Sequence, residues 1–324
     1  MERGARLVAE VLSGILGLSV AATSLAQDYP VKPIRMMVPY AAGGVTDVVT
    51  RLVTPKMAET LGQAIVVENQ PGAGGVPATN AVARAPADGY HLIAAFDSFA
   101  TNPFLYKGVQ HDPLRDFVPI VLLVRSPQLL VAHPSVGAAS LPELVRIARA
   151  KGDAFTFATA GAGTSSRLST ELLREMANFD LTLVQYRGGA PALNDLVGGQ
   201  VNAMIASISL VLPQVQRGRL VALGSSAARR VPQTPAVPAI AEHYPGFEAQ
   251  SWTGFLAPAA TPRAIIERLH AASVKALTAP EVRDKLESQG VEIVASTPEA
   301  FGEWIRVEST KWGRVIRERK ITLE

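Results

Sequence analysis

Two stretches of this chain combine residue types that could hold a negative charge without any cationic side chain. Residues 38–47 read VPYAAGGVTD and residues 158–167 read ATAGAGTSSR. Each follows a short apolar run, and each opens into a helical pattern. Glycine lets backbone come close to a neighbour, and the first N–H groups of a new helix lack partners. The helix dipole adds about half a positive charge at that end, so a carboxylate or phosphate is stabilised there. In the first elbow Ala41, Ala42, Gly43 and Gly44 supply close backbone, and Thr46 or Asp47 can cap the helix. In the second, Gly161 and Gly163 play the same part, with Thr164 and Ser165 adding hydroxyl donors. One such loop is explained by a tight turn. Two in equivalent places point to opposed turns sharing one anion. Asp47 could be a general base or a cap; Asp is a preferred cap residue, which needs no proton to take, and the cap is the reading adopted.

A third constellation, YRGGAPALNDLVGGQ (186–200), sets Tyr186 and Arg187 at the carboxyl end of a strand, where open α/β sheets bind ligands. Gly188 and Gly189 then lead into a proline-started helix, another terminus able to take an anion; a plain strand-to-helix turn accounts for it equally well.

The templates for catalysis fail in turn. The sequence holds no G-x-S-x-G, H-E-x-x-H, G-x-x-x-x-G-K-[ST] or complete G-x-G-x-x-G motif. Its five histidines (His91, His111, His133, His243 and His270) are dispersed without ligand spacing, and there is no cysteine for a thiolate site. Neither metal nor cofactor is expected.

The elements that must position the elbows are strands alternating with helices. IRMMV (34–38), AIVVE (64–68) and YHLIAAF (90–96) read as strands, with helical spacing between them, which implies a largely parallel sheet flanked by helices. Pro55 should bend the first helix. Residues 118–135, VPIVLLVRSPQLLVAHPS, carry a proline in their middle and read as a strand pair passing from one domain to the next. A second series follows with FTFATA, LTLVQY, VNAMIAS and LVALGSS as strands. Three proline-opened helices after Ser251 then return to the first sheet. The expected division is domain 1 over 27–124 and 251–324, and domain 2 over 125–250, joined by two crossings that form a hinge.

The 324 residues are 48% hydrophobic, enough for roughly two domains with ample cores. Arg3 and Arg6 precede the apolar stretch VLSGILGLSVAATSLA, and Ser24-Leu25-Ala26 fits the small-x-small rule, so residues 1–26 read as a signal peptide cleaved after Ala26. An exported chain without cysteine must be held by its core alone. The net charge of +3 is scattered, so there is no nucleic-acid footprint.

The stretches YPVKPIRMMVPYAAGGVTDVVTRLV, LGQAIVVENQPGAGG, ADGYHLI, FATAGAGTSSRL, YRGGAPALNDLVGGQV and WTGFLAPAATP resemble the successive signatures of the Bug-type extracytoplasmic solute receptors of tripartite tricarboxylate transporters, over nearly the whole mature chain. The resemblance implies an α/β protein of the periplasmic binding protein type (type II-like): two mostly parallel sheets flanked by helices, with a cleft that closes on a small carboxylate. It further implies ligand contacts from Tyr40, Ala41, Gly43, Gly44 and Asp47, from Thr159, Gly161, Thr164 and Ser165, from Ser98 and Thr101, and from Tyr186, Gly188 and Ala190. Two departures bear on specificity. Arg167 stands where the family often has histidine, and could grip a carboxylate in two places or point to solvent. Ala206-Ser207 stands where an acid and an amide are common, which argues against an amino-acid ligand. The implied partners are a membrane permease or a sensor kinase, with the receptor itself a periplasmic monomer. The rival from another class is a secreted α/β hydrolase acting on a small ester.

Overall fold

The computed structural model describes residues 29–318 and 320–322; the expected signal peptide lies outside them. Strand β1 (Ile34–Val38) alternates buried and outward residues, with Ile34, Met36 and Val38 in the core. Helix α1 (Val45–Leu61) continues through Pro55 and stops at Gly62, whose left-handed conformation (φ 73°) ends it without steric cost. Strand β2 (Ile65–Asn69), helix α2 (Val76–Ala83) and strand β3 (His91–Phe96) complete a parallel trio in the order β2-β1-β3. A short helix α3 (Ser98–Thr101) follows β3 directly.

Strand β4 (Phe117–Ala132) is one strand of 16 residues, where the sequence suggested a pair. Its physical logic lies in Pro127. Residues Phe117 to Pro127 pair antiparallel with β9 (Gln250–Pro258), whereas Gln128 to Ala132 pair with β7 (Ala203–Ser207) and from Leu129 with β8 (Val221–Ser225). A proline removes one ladder donor, which costs least where the ladder changes partner. The second sheet repeats the first: β5 (Thr156–Thr159) lies between β6 (Thr182–Gln185) and β7, all parallel, with β4 antiparallel to β7. The result is an open mixed sheet of order β2-β1-β3-β9-β4-β7-β5-β6, with β8 and the short β10 (Glu292–Ile293) also on β4.

Helices cover both faces. Helices α4 (Leu141–Lys151), α5 (Ser165–Ala177), α6 (Gly189–Val197) and α7 (Ile208–Gln216) belong with the second sheet. Phe155 and Phe157 are fully buried there, ring centroids 5.8 Å apart. The last helices, α8 (Arg263–Thr278), α9 (Pro280–Ser288) and α10 (Pro298–Glu318), pack back on the first sheet, as their apolar faces required. On α10, Phe301, Ile305, Trp312 and Ile316 are all buried, Phe301 edge-on to Trp252 at 5.6 Å. Fully burying each such side chain contributes about 1.5–3 kcal/mol. Trp312 and Ile316 also join Leu168 of α5 and Ala249, so this helix ties the two sheets together. Among the described residues no helix is long and apolar enough to cross a membrane.

Candidate functional site

The parallel trios β2-β1-β3 and β6-β5-β7 each end their central strand in a glycine elbow, and the two elbows meet. Four helix starts among the described residues converge on one cavity: Gly44 to Thr46 of α1, Ser165 and Ser166 of α5, Gly189 of α6 and Ser207 ahead of α7. The residues before these helices (Gly44, Thr164, Gly188 and Ser207) make no side-chain capping hydrogen bond. Thr164 instead donates its hydroxyl to Gly161 O at 2.7 Å. None of the four helix ends spends its N–H groups on the side chain of its own cap residue, although Asp97 takes the Ser165 N–H, and no charged side chain lines the cavity. Such a site favours an anion through dipoles alone. Phe96, Met204, Ala206 and Leu210 supply its apolar wall, and Tyr40 and Gln128 its remaining polar groups.

The first elbow is fixed from behind. Asp47 sits in the first turn of α1 and reaches back, its Oδ2 accepting the Gly43 N–H at 2.9 Å. Its Oδ1 accepts from Arg51 Nε at 2.8 Å and from Asn69 Nδ2 at 2.9 Å. Asn69 also donates to Tyr40 O at 3.0 Å, which ties the elbow to the end of β2. Neither Thr46 nor Asp47 is the cap residue; that position falls to Gly44, two residues before Thr46 and three before Asp47, because the helix starts at Val45.

Contacts across the cleft use small residues. A side chain at Gly188 (φ 132°) would place its Cβ 3.3 Å from Ala41 N, and one at Gly43 would lie 3.7 Å from Ala190 Cβ. On the other side, Thr101 donates to Gly163 O. Asp97, at the end of β3, accepts the hydroxyl hydrogen of Ser165. Ser165 Oγ in turn accepts from Gln128 Nε2 at 2.7 Å, and Ser169 donates to Gln128 Oε1 at 2.5 Å. A buried relay Ser169–Gln128–Ser165–Asp97 therefore crosses from α5 by way of β4 to the first sheet.

Burial pushes the Asp97 carboxyl up to about 8; hydrogen bonds from Ser165 and the Ser98 amide pull it back in part, and nearby Glu308 pushes it further. Asp97 is thus largely uncharged at neutral pH, which removes its repulsion from an anion beside Ser165. Burial also holds the Tyr40 hydroxyl well above its ordinary value; it makes a short contact with Ser98 Oγ.

Of the residues singled out in the sequence, Tyr40, Gly44, Ser165 and Ser207 line the cavity. Gly161 and Tyr186 line an outer pocket that shares Tyr40 with it. Ala41, Gly43, Asp47, Ser98, Thr101, Gly163, Thr164, Gly188 and Ala190 shape or brace the elbows. Thr159 is buried in β5, its Oγ1 without a hydrogen-bond partner among the described residues. Two lie elsewhere. Ala42 is exposed. Arg167 is buried but turned aside, Nη2 paired with Glu171 Oε1 at 2.7 Å in a separate polar cleft, because the helical i,i+4 spacing offers it a partner on its own helix. The sequence reading missed Asp97, Gln128 and Ser166. Ser166 follows the second elbow and was open to the same argument as Ser165; Asp97 and Gln128 gain meaning only through long-range contacts.

An open α/β sheet flanked by helices, with helix starts converging on an anion-directed cavity, is the architecture of a periplasmic binding protein. The tripartite tricarboxylate transporter receptor family matches residues 49–321, and the chain belongs to it. It is 35% identical to protein BugT of Bordetella pertussis over 97% of both chains. The solved periplasmic binding protein BugD superposes with a TM-score of 0.87 at 34% identity, over 90% of this chain and 99% of that one. MatC from Rhodopseudomonas palustris, solved with bound malate, gives 0.85 at 35% identity, over 89% and 100%. The alternative of an ester hydrolase finds no support in these relatives, and no histidine lines the cavity.

Proposed function

We propose that the chain is an extracytoplasmic receptor that captures a small organic carboxylate between its two sheets and carries out no catalysis of its own. The observation that carries this reading is the convergence of four helix starts without side-chain caps on one uncharged cavity. Malate in MatC supports the same ligand class here. The two elbows come from different sheets, so a shared anion rewards their approach, and ligand binding shifts the population toward the closed arrangement. The division into domain 1 (27–124 and 251–324) and domain 2 (125–250) is supported by the change of partners along β4 at Pro127, with β4 and the chain entering β9 as the two crossings. Family membership supports export to the periplasm after cleavage at Ala26, monomeric action, and delivery to a membrane permease or a sensor kinase. Ala206 and Ser207 in the cavity wall offer no carboxylate for an ammonium group, which supports an organic acid over an amino acid.

A thermal-shift screen tests the reading. An acid bound with micromolar affinity (about −8 kcal/mol) and present at a hundredfold its dissociation constant adds about 2.7 kcal/mol of apparent stability. One or more small carboxylates should raise the melting temperature by several degrees, whereas their methyl esters should not. A panel in which no carboxylate shifts the melt sinks the proposal.

A further inference from the structure

Helix α10 meets both sides of the molecule within a single turn. Gly313 lies so close to Phe104, just beyond α3, that an added Cβ would sit 2.5 Å from Cζ of the ring. The Arg317 guanidinium lies over the same ring, 5.3 Å from its centroid. These contacts seat the helix on the side of the first sheet. The neighbouring Trp312, with Ile316 one turn on, instead joins a buried cluster with Leu168 of α5 and Ala249, which belong to the second side. The Trp312 ring is oriented from its own helix. Its indole N–H donates to Oε2 of the buried Glu308 at 3.0 Å, one turn earlier.

Leu168 stands one turn behind the anion seat. Its N–H donates to Thr164 O at 3.1 Å and so closes the first turn of α5. Three residues before it is Ser165, which lines the cavity and donates its hydroxyl hydrogen to Asp97 on the first side. Leu168 does not line the cavity itself. It can act on a guest only through the residues of its own turn that do. A hydrogen-bonded helical turn moves as a unit, so whatever fixes Leu168 also fixes the amides of Ser165 and Ser166. Hydrogen bonds weaken steeply as their geometry departs from linear, so small displacements of that turn are felt at the seat.

We propose that Trp312 is a positioning residue for ligand capture: without touching the ligand, it holds the first turn of α5 against the first side and so sets the fraction of molecules that present all four helix starts to an acid at once. The inference rests on the cavity being the seat of the acid. Apparent affinity scales with the fraction of binding-competent molecules. Loosening Trp312 therefore weakens every guest by one common factor and leaves the order of preference among acids as it was. A residue that contacts the guest would change that order.

The test is titration calorimetry of the wild-type chain and its variants with pentanoate, benzoate, succinate, malate, adipate and citrate. Trp312→Leu should weaken every acid that the wild type binds by about fivefold or more, the lower range for coupling between separate sites. Leu168→Ala, on the opposite wall of the cluster, should do the same, and it answers the question even where Trp312→Leu fails to fold. The two changes together should cost less than the product of their separate effects. Trp312→Phe keeps an aromatic ring in the cluster and should recover most of the affinity. Ile305→Val controls for stability alone: Ile305 lies on the same helix but in a cluster confined to the first side, so this variant should melt lower and bind as the wild type does. If Trp312→Leu or Leu168→Ala binds with wild-type affinity, if acids weaken by unequal factors, or if Ile305→Val weakens them as much, the positioning role is refuted while the capture reading stands. If the wild type binds none of the six acids, the capture reading falls and the positioning role falls with it.

Discussion

Asp97 links the two sheets through Ser165, and its ionisation gives a measurable handle. Its ordinary value of 3.8 is raised to about 8, mainly by burial. The folded state therefore binds this proton more tightly than the unfolded chain. The stabilisation is fully present below about pH 4 and is lost as pH rises through about 8. Glu308, also raised by burial, acts in the same direction. Asp97→Asn removes the titration but keeps an acceptor for Ser165. The wild type should lose melting temperature relative to Asp97→Asn between pH 5 and 9, measured by differential scanning fluorimetry. Parallel curves would contradict the assignment. Acid binding by the wild type should also weaken above pH 8, as an ionised Asp97 repels the guest.

Among the elements, the elbows separate two uses of glycine. Gly161 has φ 135° but open space around it, its nearest contact for an added Cβ being Thr164 at 3.7 Å. Gly163 has no such φ; a methyl there would run into Thr101 at the end of α3 and Asn102 just after it. Gly161→Ala should act within its own loop, costing about 1–2 kcal/mol of stability through the strained backbone. Gly163→Ala should instead hold the elbows apart, weakening acid binding at least tenfold and enlarging the radius measured by small-angle scattering with ligand present. Equal radii for the liganded wild type and Gly163→Ala would count against that. These elements were legible because local rules make them: IRMMV became a strand at the expected residues, and glycine after each strand opened a helix. What local rules do not encode stayed hidden. Strand β9 and helix α7 were not anticipated, since a short apolar run such as 250–258 fits strand or buried helix alike. Arg167 was placed by the family position it occupies, with solvent as the alternative; Glu171 four residues on pairs with it instead.

For the molecule as a whole, the alternation of strands and helices gave the layered α/β architecture, and the return of the last helices to the first sheet followed from their apolar faces. The one continuous β4 was not foreseen, because Pro127 marks a change of partner rather than an end. Sharing that strand has an energetic corollary. Melting either sheet frees one half of a strand whose other half is anchored in the neighbour and uncovers the apolar contacts of α10 that both share, so the two should come apart together. Calorimetry of the ligand-free chain should therefore give a single endotherm with matching calorimetric and van't Hoff enthalpies, and two resolved peaks would argue against it. Expressing residues 125–250 by themselves would keep the β7 and β8 partners of β4 but remove helix α10, whose Trp312 and Ile316 cover Leu168 and Ala249. Such a fragment should expose that apolar surface and precipitate, as expected of a chain that unfolds as a single cooperative unit.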